Sequence, residues 1–164
     1  MRDKTYNILF LCAGNSARSV MAEVLMGHLS SGRFRAYSAG SDPAGEVNPF
    51  TLELLRRKGF ATDALRSKSW DEYARPGAPP MDFVITVCDK AAGEVCPVWP
   101  GQPMTARWGF EDPAAAQGSD EQRHKVFMKV FVEIARRIEL MPALPIEKLD
   151  RLALERQVRD IGRT

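Results

Sequence analysis

The stretch YNILFL, Tyr6 to Leu11, is apolar almost throughout, and at Cys12 it gives way to five small residues, AGNSA, and then to a helical pattern. A strand that alternates apolar and polar residues has one wet face, whereas an apolar run without alternation suits a strand covered on both faces of a parallel sheet. Parallel strands need crossover connections, usually helices. This one feature therefore points to strand, loop and helix repeated around a central sheet.

The rest of the chain continues the pattern. Val20, Met21, Val24, Leu25 and Leu29 recur at helical spacing. A second strand is expected in RFRAYSAG, ending at Gly40. A second helix has Asn48 as N-cap, Pro49 at its first position and Gly59 just past its end. Residues 71–80 are turn-rich and lead to a third buried strand, MDFVITV, which ends at Cys88. A fourth short strand is expected near PMTARW. Ser119 opens a capping box, SDEQ, ahead of a long helix with Phe127, Val130, Phe131, Ile134 and Ile138 on one face. After Pro142 and Pro145, Ile146 to Ile161 reads as one further helix. The expected fold is α/β with three layers, a four-stranded parallel sheet carrying helices on both faces. With 164 residues there is room for one domain, 1–141, with 142–164 as its C-terminal helical extension.

Composition removes several classes of function. The 23 basic and 21 acidic residues are spread along the chain, so no nucleic-acid partner is expected. The longest apolar stretch near the start is too short to span a bilayer and no cleavage site follows it, so the expectation is a cytoplasmic protein with no membrane partner. Three cysteines, Cys12, Cys88 and Cys96, are an odd number that does not suit a secreted disulfide scaffold. No Cys-x2-Cys pair exists, and His28 and His124 lie on expected helices, so neither a metal nor another cofactor is called for. Neither a Walker-type loop nor Gly-x-Gly-x-x-Gly is present, which sets aside ATPases and dinucleotide enzymes.

The chemistry gathers where strands end. In open α/β sheets ligands bind beyond the carboxyl ends of the strands, and Cys12, Cys88 and the loop holding Asp112 all fall there. Between Cys12 and Arg18, the small residues Ala13, Gly14, Asn15, Ser16 and Ala17 let the backbone curl, with Gly14 free to take a positive φ. Curled N–H groups at the start of a helix form an anion cradle, and Arg18 adds a planar fork for two oxygens. The same field favours the thiolate of Cys12, and Ser19 is placed to donate to it. An oxyanion such as phosphate or arsenate is the expected ligand. Asp112, in an Asp-Pro turn, is the candidate general acid.

Cys-x5-Arg-Ser directly after the first strand, with a late Asp-Pro pair, resembles the low-molecular-weight tyrosine phosphatase superfamily. Within it, VCDKAAGEVCP and WGFEDPA resemble the thiol-dependent arsenate reductases. The resemblance implies a flavodoxin-like fold of the phosphatase type, with Cys12 as nucleophile, Arg18 and Ser19 as its loop partners, Asn15 shaping the loop and Asp112 as the acid. It also implies a cysteine relay in which Cys12 attacks arsenate, Cys88 attacks Cys12 as arsenite leaves, and Cys96 attacks Cys88. Thioredoxin, glutaredoxin or a low-molecular-weight thiol would then reduce the outer disulfide.

That relay makes a geometric demand. Eight helical steps of about 1.5 Å would hold Cys88 and Cys96 roughly 12 Å apart, whereas a disulfide needs Cα atoms closer than about 7 Å. The segment must therefore bend. Two rival readings are a protein tyrosine phosphatase and an oxyanion-binding regulator without turnover. A phosphatase for aromatic substrates would be expected to carry an aromatic residue after Asp-Pro, where this chain has Ala114.

Overall fold

The computed structural model describes residues 4–89, 93, 97–99 and 103–164. The strands β1 (Tyr6–Cys12), β2 (Phe34–Gly40), β3 (Phe83–Thr86) and β4 (Met104–Arg107) form one sheet in the order β2-β1-β3-β4. Every pairing is parallel, with Cys12 opposite Gly40 and Leu11 opposite Thr86. The chain leaves β1 towards one neighbour and later returns to pair on its other side. That reversal is the switch point of a flavodoxin-like order, and it opens a crevice beyond the carboxyl end of β1.

The connections are α1 (Arg18–Leu29), α2 (Pro49–Arg57), the single turn α3 (Asp71–Ala74), α4 (Asp120–Leu140) and α5 (Arg151–Ile161). Side chains alternate across β1. Tyr6, Ile8, Phe10 and Cys12 join the main core with α1, α2, α4 and α5, while Leu9 and Leu11 join Ala39 and Val84 on the opposite face. The two faces are covered unequally. The second is closed by Tyr37, Trp70, Tyr73, Met81 and Trp99, with α3 as its short helix. The turn-rich stretch after residue 70 thus contributes aromatic cover as well as a connection.

Local signals act as their chemistry requires. The Asn48 side chain accepts from the Phe50 N–H, with Pro49 following. Ser119 and Gln122 close a reciprocal capping box at the start of α4. Near the C-terminus the expected helix from Ile146 to Ile161 is divided. Ile146–Lys148 is one 3-10 turn, Leu149 is extended, and Asp150 restarts the chain as α5 by accepting from the Ala153 N–H at 2.8 Å. An aspartate that serves a new N-terminus outcompetes continuation of the helix through it. Trp108, 1% exposed, anchors α5 by donating its indole N–H to the Val158 carbonyl at 2.9 Å. No helix among the described residues is long and apolar enough to cross a membrane.

Candidate active site

Residues 13–17 run from the last residue of β1 into the first residue of α1, and their carbonyls are held from outside the loop. The Cys12, Ala13, Gly14 and Ser16 carbonyls accept from the backbone N–H groups of Ser41, Asp42, Ala44 and Asn48 respectively. The Ser67 and Thr51 hydroxyls add bonds to the Gly14 and Ser16 carbonyls. In a trans peptide the N–H points opposite to the C=O. Fixing those carbonyls outward therefore turns the N–H groups of residues 13, 14, 15 and 17 to the inner side. The Asn15 N–H follows this geometry and donates to the Cys12 sulfur at 3.2 Å.

The left-handed residue in the loop is Asn15, with φ 47°, although Gly14 beside it is free to adopt that region. Asparagine tolerates this region better than most residues, and here its side chain is pinned at both ends. Its Oδ1 accepts from the Lys68 N–H at 2.9 Å and its Nδ2 donates to Ser19 Oγ at 2.8 Å. Gly40 is the glycine that the loop requires, because a Cβ there would be driven into the Ala13 carbonyl.

Ser19 Oγ stands 2.9 Å from Cys12 Sγ. Because that oxygen already accepts from Asn15, its own proton is free to point at sulfur. Cys12, 3% exposed, thus has two hydrogen-bond partners at the N-terminus of α1 and forms no disulfide. Arg18, 6% exposed, donates from Nη1 to the Phe110 carbonyl at 3.0 Å, and its Nη2 lies 3.8 Å from Asp112 Oδ2. Asp112 serves as both a turn residue and a facing acid. Its Oδ1 accepts from the Ala114 N–H at 3.0 Å, and the turn directs Oδ2 at the guanidinium.

Cys88, 1% exposed, lies two residues past β3, and the Val87 N–H before it donates to the Leu11 carbonyl of β1. It is disulfide-bonded. Cys12 and Cys88 therefore leave neighbouring strands at the same edge, while Cys96 and most of the segment before it lie outside the described residues. Among the described residues the structure thus brings together Cys12, Asn15, Arg18, Ser19 and Asp112.

One participant escapes sequence reasoning. Lys68 is 8% exposed and sits behind the loop, with Nζ 3.1 Å from the Arg66 carbonyl and 3.8 Å from Glu23 Oε1, which also accepts from Ser38. Burial holds its ammonium below the usual lysine range, with Glu23 opposing that shift.

The family model described as low molecular weight phosphotyrosine protein phosphatase matches residues 7–151. The chain belongs to that family. Within the low molecular weight phosphatase family it is 39% identical over 132 residues to the arsenate reductase of Halalkalibacterium halodurans, an alignment that covers 80% of this chain and 91% of that protein. The crystal structure of an arsenate reductase from Archaeoglobus fulgidus superposes with a TM-score of 0.69 at 28% identity, covering 84% of this chain and 99% of the other. A thioredoxin-dependent arsenate reductase of Corynebacterium glutamicum superposes at 0.61 with 26% identity, covering 90% of this chain and 66% of the other. The four-stranded parallel sheet is the fold of these family members.

Proposed function

We propose that this protein is an arsenate reductase of the cytoplasm that works through a cysteine relay. The observation that carries the reading is the free Cys12 sulfur, which receives the Asn15 N–H and the Ser19 hydroxyl at the mouth of α1 with Arg18 beside it. A thiolate held in this way is a nucleophile rather than a packing group. The N–H groups of residues 13–17 and the Arg18 fork bind the arsenate oxygens, as oxyanion loops at helix N-termini do.

In the first step the Cys12 thiolate forms an S–As bond, and one arsenate oxygen leaves as water after Asp112 gives it a proton. In the second, the reduced Cys88 thiolate attacks Cys12 sulfur. The S–As bond breaks, its electron pair stays on arsenic, and arsenite departs from a Cys12–Cys88 disulfide. In the third, the Cys96 thiolate attacks Cys88 and releases Cys12. The remaining Cys88–Cys96 disulfide is reduced by an external dithiol protein of the thioredoxin or glutaredoxin kind, or by a small thiol. A phosphatase would use a single thiolate and finish with water. The placement of Cys88 at the neighbouring strand end, together with relatives that are arsenate reductases, supports the reductase.

The test is arsenite formation by the purified protein supplied with thioredoxin and its reductase, or with glutathione and glutaredoxin. Hydrolysis of an aryl phosphate is followed in parallel. Cys12→Ser is expected to abolish both activities, while Cys88→Ser and Cys96→Ser stop arsenite turnover and spare the hydrolysis. Arsenite formation that survives Cys88→Ser rejects the relay.

A further inference from the structure

The loop that follows β4 is grasped from two directions. From the site, Arg18 donates to the Phe110 carbonyl. From α4, the Arg137 guanidinium lies over the Phe110 ring, 4.5 Å from its centre, and donates from Nη1 to the Gly109 carbonyl at 2.9 Å. Its Nη2 donates to the Thr164 carbonyl at 3.2 Å. Two turns earlier on the same helix, Lys129 Nζ pairs with Glu111 at 2.8 Å. Residues 109–111 are thus stapled to α4 immediately before Asp112.

We infer that Arg137 is a positioning residue, which sets the height of the 109–112 loop and thereby aims both the Arg18 guanidinium and the Asp112 carboxylate at the bound oxyanion. The proposal extends the reading of the site given above and rests on it. Three observations carry it. The helix is a stiff reference, capped at its start and seated in the core through Phe127, Val130, Phe131, Ile134 and Ile138. Phe110 is 3% exposed, so displacement of its ring moves its carbonyl as well. The Phe110 carbonyl also accepts directly from the Arg18 guanidinium at 3.0 Å, while Asp112 Oδ2 stands 3.8 Å from it at the end of the same loop. Burial lowers the proton affinity of Arg137, consistent with a guanidinium drawn out of water to serve the loop. Lying over a ring while donating from two nitrogens to two carbonyls is a task that lysine does not share.

The test compares Arg137→Met and Arg137→Lys with the wild type by alkylation of Cys12, followed by mass spectrometry of its peptide. Iodoacetate, an anion, is gathered by Arg18, whereas iodoacetamide, which is neutral, reads the thiolate alone. Arg137→Met is expected to lower the iodoacetate-to-iodoacetamide rate ratio at least threefold while leaving the iodoacetamide rate within twofold. Arg137→Lys keeps the charge and is expected to recover less than half of the lost ratio. An unchanged ratio in Arg137→Met, both rates falling together, or full recovery in Arg137→Lys would each overturn the inference. In arsenate reduction the same Met variant is expected to lose about tenfold in kcat, as small misplacements of catalytic groups do. That loss should shrink in an Asp112→Asn background, where only the part carried through Arg18 remains, and a loss of equal size there also counts against the inference. Wild-type protein that alkylates as expected yet forms no arsenite sinks the reading of the reaction, and in that case the alkylation ratio decides Arg137.

Discussion

Asn15 and Ser19 share one hydrogen bond, and its direction leaves the serine proton available to the sulfur. With the Asn15 Oδ1 occupied by the Lys68 N–H, its amide nitrogen must face Ser19, so the serine oxygen accepts and its own proton is free for Cys12, 2.9 Å away. A backbone contact 53 residues away thus orients a donor toward the sulfur.

Ser19→Ala removes that donor and leaves the Asn15 amide without its acceptor. A hydrogen bond to a charged group contributes about 1.5–3 kcal/mol, and each 1.36 kcal/mol on a barrier is about tenfold in rate. Alkylation of Cys12 by iodoacetamide at neutral pH is expected to slow by about tenfold or more. A rate within twofold of wild type contradicts the assigned direction of the bond.

Gly40→Ala places a methyl against the Ala13 carbonyl, which is backbone held in turn by the Asp42 N–H and has no room to retreat. Overpacking of this kind costs roughly 1–3 kcal/mol. A lowered melting temperature is expected together with weakened binding of inorganic phosphate by calorimetry. Gly45, whose added Cβ would meet nothing within 4 Å, offers a control in which any loss comes from its positive φ of 90° alone.

Asp112→Asn keeps the Asx-type turn to Ala114 but supplies no proton. General acids contribute about 10²- to 10⁴-fold, so turnover is expected to drop by at least about a hundredfold with phosphate affinity unchanged or improved. Undiminished turnover would remove Asp112 from the mechanism and leave it as a turn residue.

Alkaline pH acts on two groups that both feel Glu23. The folded state holds the Lys68 ammonium below 10.5, so between that depressed value and 10.5 the unfolded chain binds more protons and stability rises with pH. Tyr73 runs the other way. Burial pushes its phenol from 10.0 up to about 12, so its contribution is complete below pH 10 and is lost as pH climbs through about 12. Urea denaturation at a series of pH values should therefore show Lys68→Met flattening the rise and Tyr73→Phe reducing the fall. Identical slopes in variant and wild type would refute the assignment.

Trp108→Phe keeps the ring volume in part but strips a donor from the Val158 carbonyl in the last turn of α5. An unsatisfied buried acceptor costs about 1–3 kcal/mol. Amide exchange in α5 is expected to accelerate more than in α4, because Gly162 also packs directly on the Arg107 carbonyl and the Trp108 ring.

What the chain announces about itself is local. The apolar run into Cys12, the spacing to Arg18 and Ser19, the Asn48 cap and the Ser119 capping box are each written within a few residues, and backbone hydrogen-bonding rules read them directly. Those signals are enough for a parallel sheet with a thiol at a strand end. The sequence by itself also carries Asp112, though its Asp-Pro turn says nothing of which oxygen faces Arg18.

Tertiary structure decided the rest, because the deciding contacts join residues far apart in the chain. Lys68 meets the loop across 53 residues, and Arg18 reaches the Phe110 carbonyl across 92. The left-handed turn fell to Asn15 rather than Gly14 because only the folded chain supplies partners for both ends of the asparagine amide. Gly40 reads as an ordinary strand end until β2 lies beside Cys12. Spacing along a sequence encodes which groups share a helix or a turn. Which carbonyl an arginine meets, and which amide turns a hydroxyl toward sulfur, is fixed only when the packed core holds distant backbones within hydrogen-bond reach.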